Sequence, residues 1–338
     1  MKKYLLPKTQ NSYKANLHMH TTISDGRMTP EEVKAEFTAQ GYSIVAFTDH
    51  EVMIPHSELN DDTFLAITST EIEVKAYLVG GFEYFKAYHL NLYSKDPARE
   101  TYPLFHEDCA WGNALEYISA EQRKFRYQRE YSPQAVNQMI KLANKEGFLV
   151  SYNHPVWSLQ TYEDYASLEG LWGIEIHNSG AVYMGMPDTQ QPFRDLLWQG
   201  KQVFPLATDD AHEKAHCFQG FTQIHADNLE YDEIMGALER GDFYSSQGPM
   251  IHELYIEDGV VHLRCSPVWE VVLMTERRYS MAQQAKDALL TEVKFDLRGY
   301  LERTCKESDR KPYFRLIIQD EKGAYAYTRA YFLSEIEN

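Results

Sequence analysis

The residues able to do chemistry recur in one order along the chain: His18-Met19-His20, Asp25, Thr48-Asp49-His50, Glu71, His89, Asn153-His154-Pro155 and Thr208-Asp209-Asp210-Ala211-His212. Imidazole and carboxylate together suit zinc, manganese and iron, and no cysteine joins the series, which argues against a closed structural zinc. His18 and His20 stand two apart, so at an extended strand end both side chains project to one side and can share an ion. Taken singly, each fragment has an ordinary reading. Asp25-Gly26 marks turns in general, Thr48-Asp49-His50 can be a strand end with a surface histidine, and in Asn153-His154-Pro155 the proline can merely stop a strand. Together they supply enough imidazole and carboxylate for several ions, which is the pattern of a multi-metal hydrolytic site spread through a sequence.

The elements that must position these groups alternate. Asn16-Leu17-His18 reads as a strand end; Thr29, Pro30 and Glu32 open a helix with a capping box, Gly41 ends it, and Tyr42 to Phe47 is a buried strand running into Thr48-Asp49-His50. Ser132-Pro133 opens a second helix with Val136, Met139, Ile140 and Ala143 on one face. Gly147 closes it, and Phe148 to Tyr152 is a strand ending at Asn153-His154. Gly173 to Ile176 is a strand, Phe193 to Gln199 a helix, Gln202 to Ala207 a strand leading into Asp209-Asp210, and Tyr231 to Leu238 a helix stopped by Gly241. Strand, polar loop, helix: this alternation implies a parallel sheet or barrel whose ligands meet at the carboxyl ends of the strands. From about residue 250 the texture changes. Leu254–Ile256, Val260–Cys265, Val271–Thr275, Phe314–Gln319 and Tyr325–Phe332 read as strands, Asp258-Gly259 as a hairpin turn and Met281–Leu290 as a helix. The expected division is residues 1–249 for the metal-bearing part and 250–338 for a small, mainly antiparallel β domain, with residues 95–131 an insertion near the site and a candidate lid.

With 338 residues, 43% of them hydrophobic, the chain can bury a large core. Its 50 acidic against 33 basic residues, a net charge of -17, oppose binding to nucleic acid or to a membrane surface. A small anionic substrate therefore needs a local positive charge, and bound divalent ions are the obvious source. Cys109, Cys217, Cys265 and Cys305 form no CxxC pair and read as reduced thiols. The basic start is broken at Pro7 before it becomes a signal peptide, and no membrane-spanning run follows, so a cytoplasmic location is expected. Oligomeric state is not legible.

Over about residues 14 to 250, the set His18-x-His20, Asp25-Gly26, Thr48-Asp49-His50, Glu71, His154-Pro155 and Asp210-x-His212 resembles the polymerase and histidinol phosphatase (PHP) family of metal-dependent phosphoesterases. The resemblance implies an α/β fold, a distorted seven-stranded β/α barrel, with two or three divalent ions (Zn, Mn or Fe). Position by position, it implies that His18, His20, Glu71 and Asp210 hold one ion. Glu71 would bridge to a second held with His89 and His154, and Asp25, His50 and His212 would hold a third. Glu71, Asp210 and His212 are then the expected catalytic residues. His89-Leu90-Asn91-Leu92 looks like the family's next histidine motif, although its gap from Glu71 is longer than usual. Glu73 competes with Glu71, whose neighbours fit the pattern better. Asp49 and Asp209 are expected to orient ligand histidines.

Three carboxylates, Asp25, Glu71 and Asp210, facing three divalent ions leave a positive surplus that hydroxide and a phosphate dianion can neutralise. Closely spaced ions lower the pKa of a bridging water to roughly 7 and stabilise both oxygens of an in-line displacement. The expected reaction is hydroxide attack on a small organic phosphomonoester, releasing phosphate without a covalent enzyme intermediate. The alternative is hydrolysis of a non-phosphate ester, amide or carbamate; a binding module without turnover is disfavoured by the complete ligand set. His212-Glu213-Lys214-Ala215-His216 also matches HExxH, the zinc-peptidase signature, which requires a helix through both histidines. It follows a strand and an Asp-Asp loop, so His216 is read as incidental. There is no GxSxG, GxxxxGK[ST] or GxGxxG. His56, His106, His177, His225, His252 and His262 read as solvated or packed. Arg27 is a weaker candidate for substrate contact and Lys201 more simply a surface cation; the segment from Gly241 to Pro249 resembles a loop near the barrel's end in relatives, which implies that Ser245 or Ser246 lines the pocket; Tyr77, Tyr84, Tyr88 and Tyr152 are candidates for stacking.

Overall fold

The computed structural model describes residues 2–76, 86–187, 189–304 and 311–336. Its strands are β1 (Lys2–Tyr4), β2 (Asn11–Met19), β3 (Ile44–Phe47), β4 (Leu65–Lys75), β5 (Ala87–Ser94), β6 (Phe148–Tyr152), β7 (Gly173–Asn178), β8 (Phe204–Thr208), β9 (Phe221–Ala226), β10 (Phe243–Ser246), β11 (Ile251–Glu257), β12 (Val260–Val268), β13 (Glu270–Thr275), β14 (Ser280–Gln284), β15 (Leu290–Asp296), β16 (Tyr313–Gln319), β17 (Tyr325–Thr328) and β18 (Tyr331–Phe332). One sheet runs β14-β13-β16-β17-β10-β9-β2-β3-β4-β5-β6-β7-β8, with β18 on β16; the other is β1-β11-β12-β15.

The sheet of the expected distorted seven-stranded β/α barrel is not closed. Pairs β2–β3, β3–β4, β6–β7 and β7–β8 are parallel, but β5 lies antiparallel to both β4 and β6, and β9 antiparallel to β2. The chain between β4 and β5 is too short for a crossover helix, and strands joined that way pair antiparallel. The ladder stays open between β8 and β2. Past their ends these two strands meet through one parallel bridge, Met19 with Ala211. There the amide of Asp210 donates to His18 O at 2.9 Å and the amide of His20 to Ala211 O at 3.2 Å.

The helices opened by Thr29-Pro30 and Ser132-Pro133 form where their caps place them. Helix Pro30–Ala39 carries the Thr29/Glu32 capping box. Helix Pro133–Lys145 is capped by Ser132 and buries Val136, Met139, Ile140 and Ala143, the larger of which stabilise by about 1.5–3 kcal/mol each. That face joins a core containing Ile72 and Val74 of β4, Leu90 and Leu92 of β5 and Val150 of β6, and the same core takes in Tyr102, Leu104 and Phe105 from the 95–131 segment.

Beyond residue 250, Asp258 and Gly259 have φ of 49° and 77°, as a two-residue hairpin turn between β11 and β12 requires. The helix expected at Met281–Leu290 is absent: Ser280–Gln284 pairs with β13 and Leu290–Asp296 with β12. Cross-strand pairing overrides the helix preference of Ala282-Gln283-Gln284-Ala285. A helix at Arg298–Thr304 was not anticipated. Strand pairing crosses the expected division at residue 249 twice among the described residues, β10 pairing with β17 and β1 with β11. Cys109, Cys217 and Cys265 are free and buried; Cys305 lies outside the described residues, as do Tyr77 and Tyr84. No helix among the described residues is long and apolar enough to cross a membrane.

Candidate metal centre

Strand alternation aims the ligands. In β2, Leu17 and Met19 enter hydrophobic cores, so His18, and His20 just past the strand, face the other way. In β4, Ile72 and Val74 do the same and leave Glu71 and Glu73 on the site face, with His89 of β5 in register opposite Glu73. His50, His154, Asp210 and His212 sit just beyond β3, β6 and β8. Glu51, His154 and Asp210 have φ of 60°, 26° and 47°; left-handed backbone at non-glycine residues is costly and collects at functional sites. Gly26 explains the glycine after Asp25: a Cβ there would lie 2.4 Å from the carbonyl oxygen of His20.

Five of the nine expected ligands converge on a sixth, Glu71. Its Oε1 lies 3.4 Å from His18 Nε2, 3.1 Å from His89 Nδ1 and 3.3 Å from His154 Nε2. Its Oε2 lies 3.3 Å from His20 Nε2 and 3.4 Å from His50 Nδ1. Asp210 Oδ1 is 3.2 Å from His18 Nε2 and 3.1 Å from His20 Nε2. Asp25 Oδ2 is 3.4 Å from His212 Nε2 and 3.8 Å from His50 Nε2. Metal–ligand bonds of about 2.1 Å put neighbouring donors about 3.0–3.4 Å apart, and all of these separations but the 3.8 Å of His50 and Asp25 fit that spacing. Three groups have donor atoms all within 4.8 Å of one another: His20, Asp25, His50 and His212; His18, Glu71 and His154; and His18, His20 and Asp210. Among the described residues, His20 Nδ1, His50 Nδ1 and Asp210 Oδ1 are buried without a hydrogen bond. Polar atoms so placed are expensive unless something else satisfies them, and a divalent cation would.

The electrostatics agree. Burial pulls His18 down, but Asp210, Glu71 and Glu175 outweigh it and raise its pKa well above the usual value. Burial likewise works against His20 and His89, yet Asp210 and Glu71 raise the first to about 10, and Glu71 and Glu73 the second to about 10. His50 goes the other way, to about 3, through burial and the charge on His20. Glu71 and Asp210, although burial opposes ionisation, are held well below the carboxylate range by the histidines. In metal-free protein these shifts favour protonated imidazole beside ionised Glu71 and Asp210, and a cation must displace those protons. Affinity should therefore rise with pH, and saturation at pH 7 should release protons, measurable by calorimetry in buffers of different ionisation enthalpy; a count near zero contradicts this charge state.

Two expected orienting carboxylates do something else. Asp49 accepts from the amide and hydroxyl of Thr21 and of Ser24 at 2.7–3.1 Å, so it pins the loop carrying Asp25 and touches no histidine. Asp209 accepts from the amides of Phe218, Gln219 and Gly220 and from Ser179 Oγ, and pins the 216–220 loop; burial pushes its pKa up to about 6 against these bonds. The orienting role belongs to Glu175, which sequence reasoning missed. It accepts from His18 Nδ1 at 2.7 Å, the His154 amide at 2.8 Å, Asn178 Nδ2 at 2.9 Å and Thr208 Oγ1 at 2.6 Å. The available signal was an acid in the middle of the buried run Gly173-Ile174-Glu175-Ile176. Glu175→Gln should lower metal affinity about 10–100-fold, read by competition with a chromophoric chelator; unchanged affinity would make Glu175 a packing residue only.

Other candidates fall elsewhere. Arg27 is surface-exposed and pairs with Glu213. Ser245 and Ser246 are buried, their hydroxyls donating to the carbonyls of Pro205 and Pro249. Lys201 donates to the carbonyls of Ala166 and Leu168. Tyr88 and Tyr152 are core residues. Glu73 sits at the edge, bound by Lys75 at 2.9 Å and by Trp111 Nε1 at 3.1 Å. Seven of the nine candidate ligands line a cavity of about 570 Å³, and so does His216. Residues 214–216 form a single 3-10 turn, and the helix that HExxH needs is not there.

The chain matches the PHP domain over residues 16–302. No curated protein matches it. Among solved structures, one similar chain is a two-domain protein from Bacteroides vulgatus ATCC 8482 containing a predicted PHP-like metal-dependent phosphoesterase, with 15% identity over 97% of this chain and 98% of that one and a TM-score of 0.46. An amidohydrolase from Chromobacterium violaceum has 14% identity over 68% and 96% of the two chains and a TM-score of 0.39. The lesion-specific endonuclease PfuEndoQ from Pyrococcus furiosus has 15% identity over 68% and 56% and a TM-score of 0.41. With the matched residues spanning most of the chain and holding all nine converging ligands, the protein belongs to the PHP family.

Proposed function

We propose that this protein is a metal-dependent hydrolase releasing phosphate from a small organic phosphomonoester. The observation that carries the reading is the convergence of five imidazoles on the two oxygens of one buried carboxylate, Glu71. His18, His20, Asp25, His50, Glu71, His89, His154, Asp210 and His212 would hold two or three divalent ions. Bound there, such ions would polarise a phosphoryl oxygen and acidify water to a pKa of roughly 7. The chain's own residues prepare the site. Glu175 holds His18 with Nε2 facing Glu71, and Ser158 Oγ, 3.0 Å from His154 Nδ1, leaves Nε2 of that ring facing Glu71 as well. Asp49 and Asp209 fix the loops of Asp25 and His212. The chain's acidic surface argues against nucleic acid as substrate. Peptide hydrolysis through His212 and His216 lacks its helix.

The test is metal analysis followed by a panel of phosphomonoesters, phosphodiesters and carboxylic esters with manganese, zinc and iron. Phosphate release from monoesters is expected. Turnover of carbonyl substrates without phosphate release would replace the proposed reaction with carbonyl hydrolysis.

A further inference from the structure

The cavity above the metal ligands has a floor and a wall of opposite character. Its floor is carboxylate and imidazole; its wall is Trp111, Trp157, Leu159, Ala181, Met184 and Met186. At about 570 Å³ it holds far more than a phosphate group and falls within the roughly 300–1,000 Å³ of small-molecule sites. No lysine or arginine lines it among the described residues. Arg27, the nearest candidate by sequence, is spent on Glu213, and Lys75 lies against Glu73 and over the Trp111 ring at 4.7 Å. Beyond the metal ligands, a second phosphate or a carboxylate on the substrate would meet no lysine or arginine in the lining among the described residues.

The wall is built. Leu159 holds φ at 57°, a conformation that a bulky side chain rarely adopts, and is 44% exposed. Met184 is 61% exposed, and its Sδ accepts from Trp157 Nε1 at 3.0 Å. The Trp157 ring meets His89 and His154 edge-on at 5.7 and 5.0 Å, and Trp111 lies 5.9 Å from His50. Aromatic wall and ligand imidazoles are thus one continuous surface, and open apolar surface beside a polar centre marks a binding site.

Resting on the phosphoesterase reading, we infer that the substrate's organic part is a neutral, apolar group, aromatic or branched, lying against Trp111, Trp157 and Met184. Hydrolysis adds water across the P–O bond: the water oxygen stays on phosphorus, and the departing oxygen takes a proton to leave a neutral alcohol. The reaction that supplies this substrate must therefore phosphorylate a hydrophobic alcohol or phenol.

Two measurements test this. With the metal-loaded protein, kcat/KM for benzyl phosphate should exceed that for glycerol phosphate, choline phosphate and a sugar bisphosphate by at least about 30-fold, the discrimination that about one methylene gives in an apolar pocket. By calorimetry, benzylphosphonate should bind more tightly than 2-hydroxyethylphosphonate by a similar ratio. Met184→Lys and Leu159→Asn, the latter compatible with left-handed backbone, should each reduce that preference about tenfold. Equal rates for benzyl and glycerol phosphates, or preference for the cationic or doubly phosphorylated substrate, overturns the inference while the phosphoesterase reading stands. Selective binding of benzylphosphonate without hydrolysis of any monoester overturns the phosphoesterase reading and leaves the apolar subsite standing. If neither phosphonate binds, the subsite is overturned as well.

Discussion

Replacing Glu71 with glutamine should lower hydrolysis at least about a thousandfold, a loss of roughly 4 kcal/mol in transition-state stabilisation, and strip most of the bound metal while leaving the protein folded. The amide keeps the shape of the carboxylate but supplies one weak oxygen donor and an NH2 group that would point at imidazole nitrogens 3.1–3.4 Å away. It also removes the negative charge that two ions would share. Glu73→Gln makes the contrast. Glu73 touches one ligand, His89, at 3.4 Å, and otherwise pairs with Lys75 and Trp111; its loss should reduce the rate about tenfold, in the range of residues that orient ligands. Metal content by atomic absorption, beside kcat and KM, separates the two. A larger loss of metal from Glu73→Gln than from Glu71→Gln would exchange their assignments.

Much of this centre was readable in the chain because each ligand lies at a position local grammar marks. Period-2 alternation put His18 and His20 on one face, and strand ends placed His50, His154, Asp210 and His212. What failed is non-local. Nothing near Asp49 or Asp209 says whether a short carboxylate will reach a ring or backbone amides; both turned to amides because their loops bring several N–H groups within reach. Glu175 is separated from His18 by 157 residues, and only the sheet brings them together. The strand order escaped notice for a similar reason: β4 and β5 went unassigned in the sequence, and nothing local to either segment says that they pair antiparallel. The apolar wall escaped notice because Trp111, Trp157 and Met184 come from three separate loops with no shared spacing.

The 95–131 segment, a candidate lid by sequence, is tied down by a buried ion pair, and breaking it should cost about 3–5 kcal/mol. Arg129 donates to both oxygens of Glu51 at 2.6 and 2.7 Å, to the carbonyl of Glu73 at 2.6 Å and to that of Leu104. Tyr102 donates to the same carboxylate at 2.6 Å. The ion-pair side chains are 4% and 0% exposed, and burial opposes the charge on Arg129, which Glu51 more than restores. Glu51 follows the ligand His50, and its amide bonds to Glu71 O at 3.1 Å, so the clamp connects the ligand strands directly to the segment that supplies Trp111. At the same junction Gly112, with φ of 56°, lets the chain pass where a Cβ would come within 2.0 Å of Ser24 O. Arg129→Met leaves Glu51 charged, buried and unpaired, and should lower Tm by about 6–20 °C at roughly 2–4 °C per kcal/mol. The double change Glu51→Leu with Arg129→Met removes both charges and should recover part of that loss, since an apolar pair of similar volume is often no worse than the ions it replaces. A single variant whose Tm moves less than about 2 °C would mean that the pair only decorates a segment already held by Tyr102, Leu104 and Phe105. Recovery in the double variant without recovery of the benzyl phosphate preference would show that the guanidinium does more than stabilise: its bonds to the carbonyls of Glu73 and Leu104 would then be what holds Trp111 at the cavity wall.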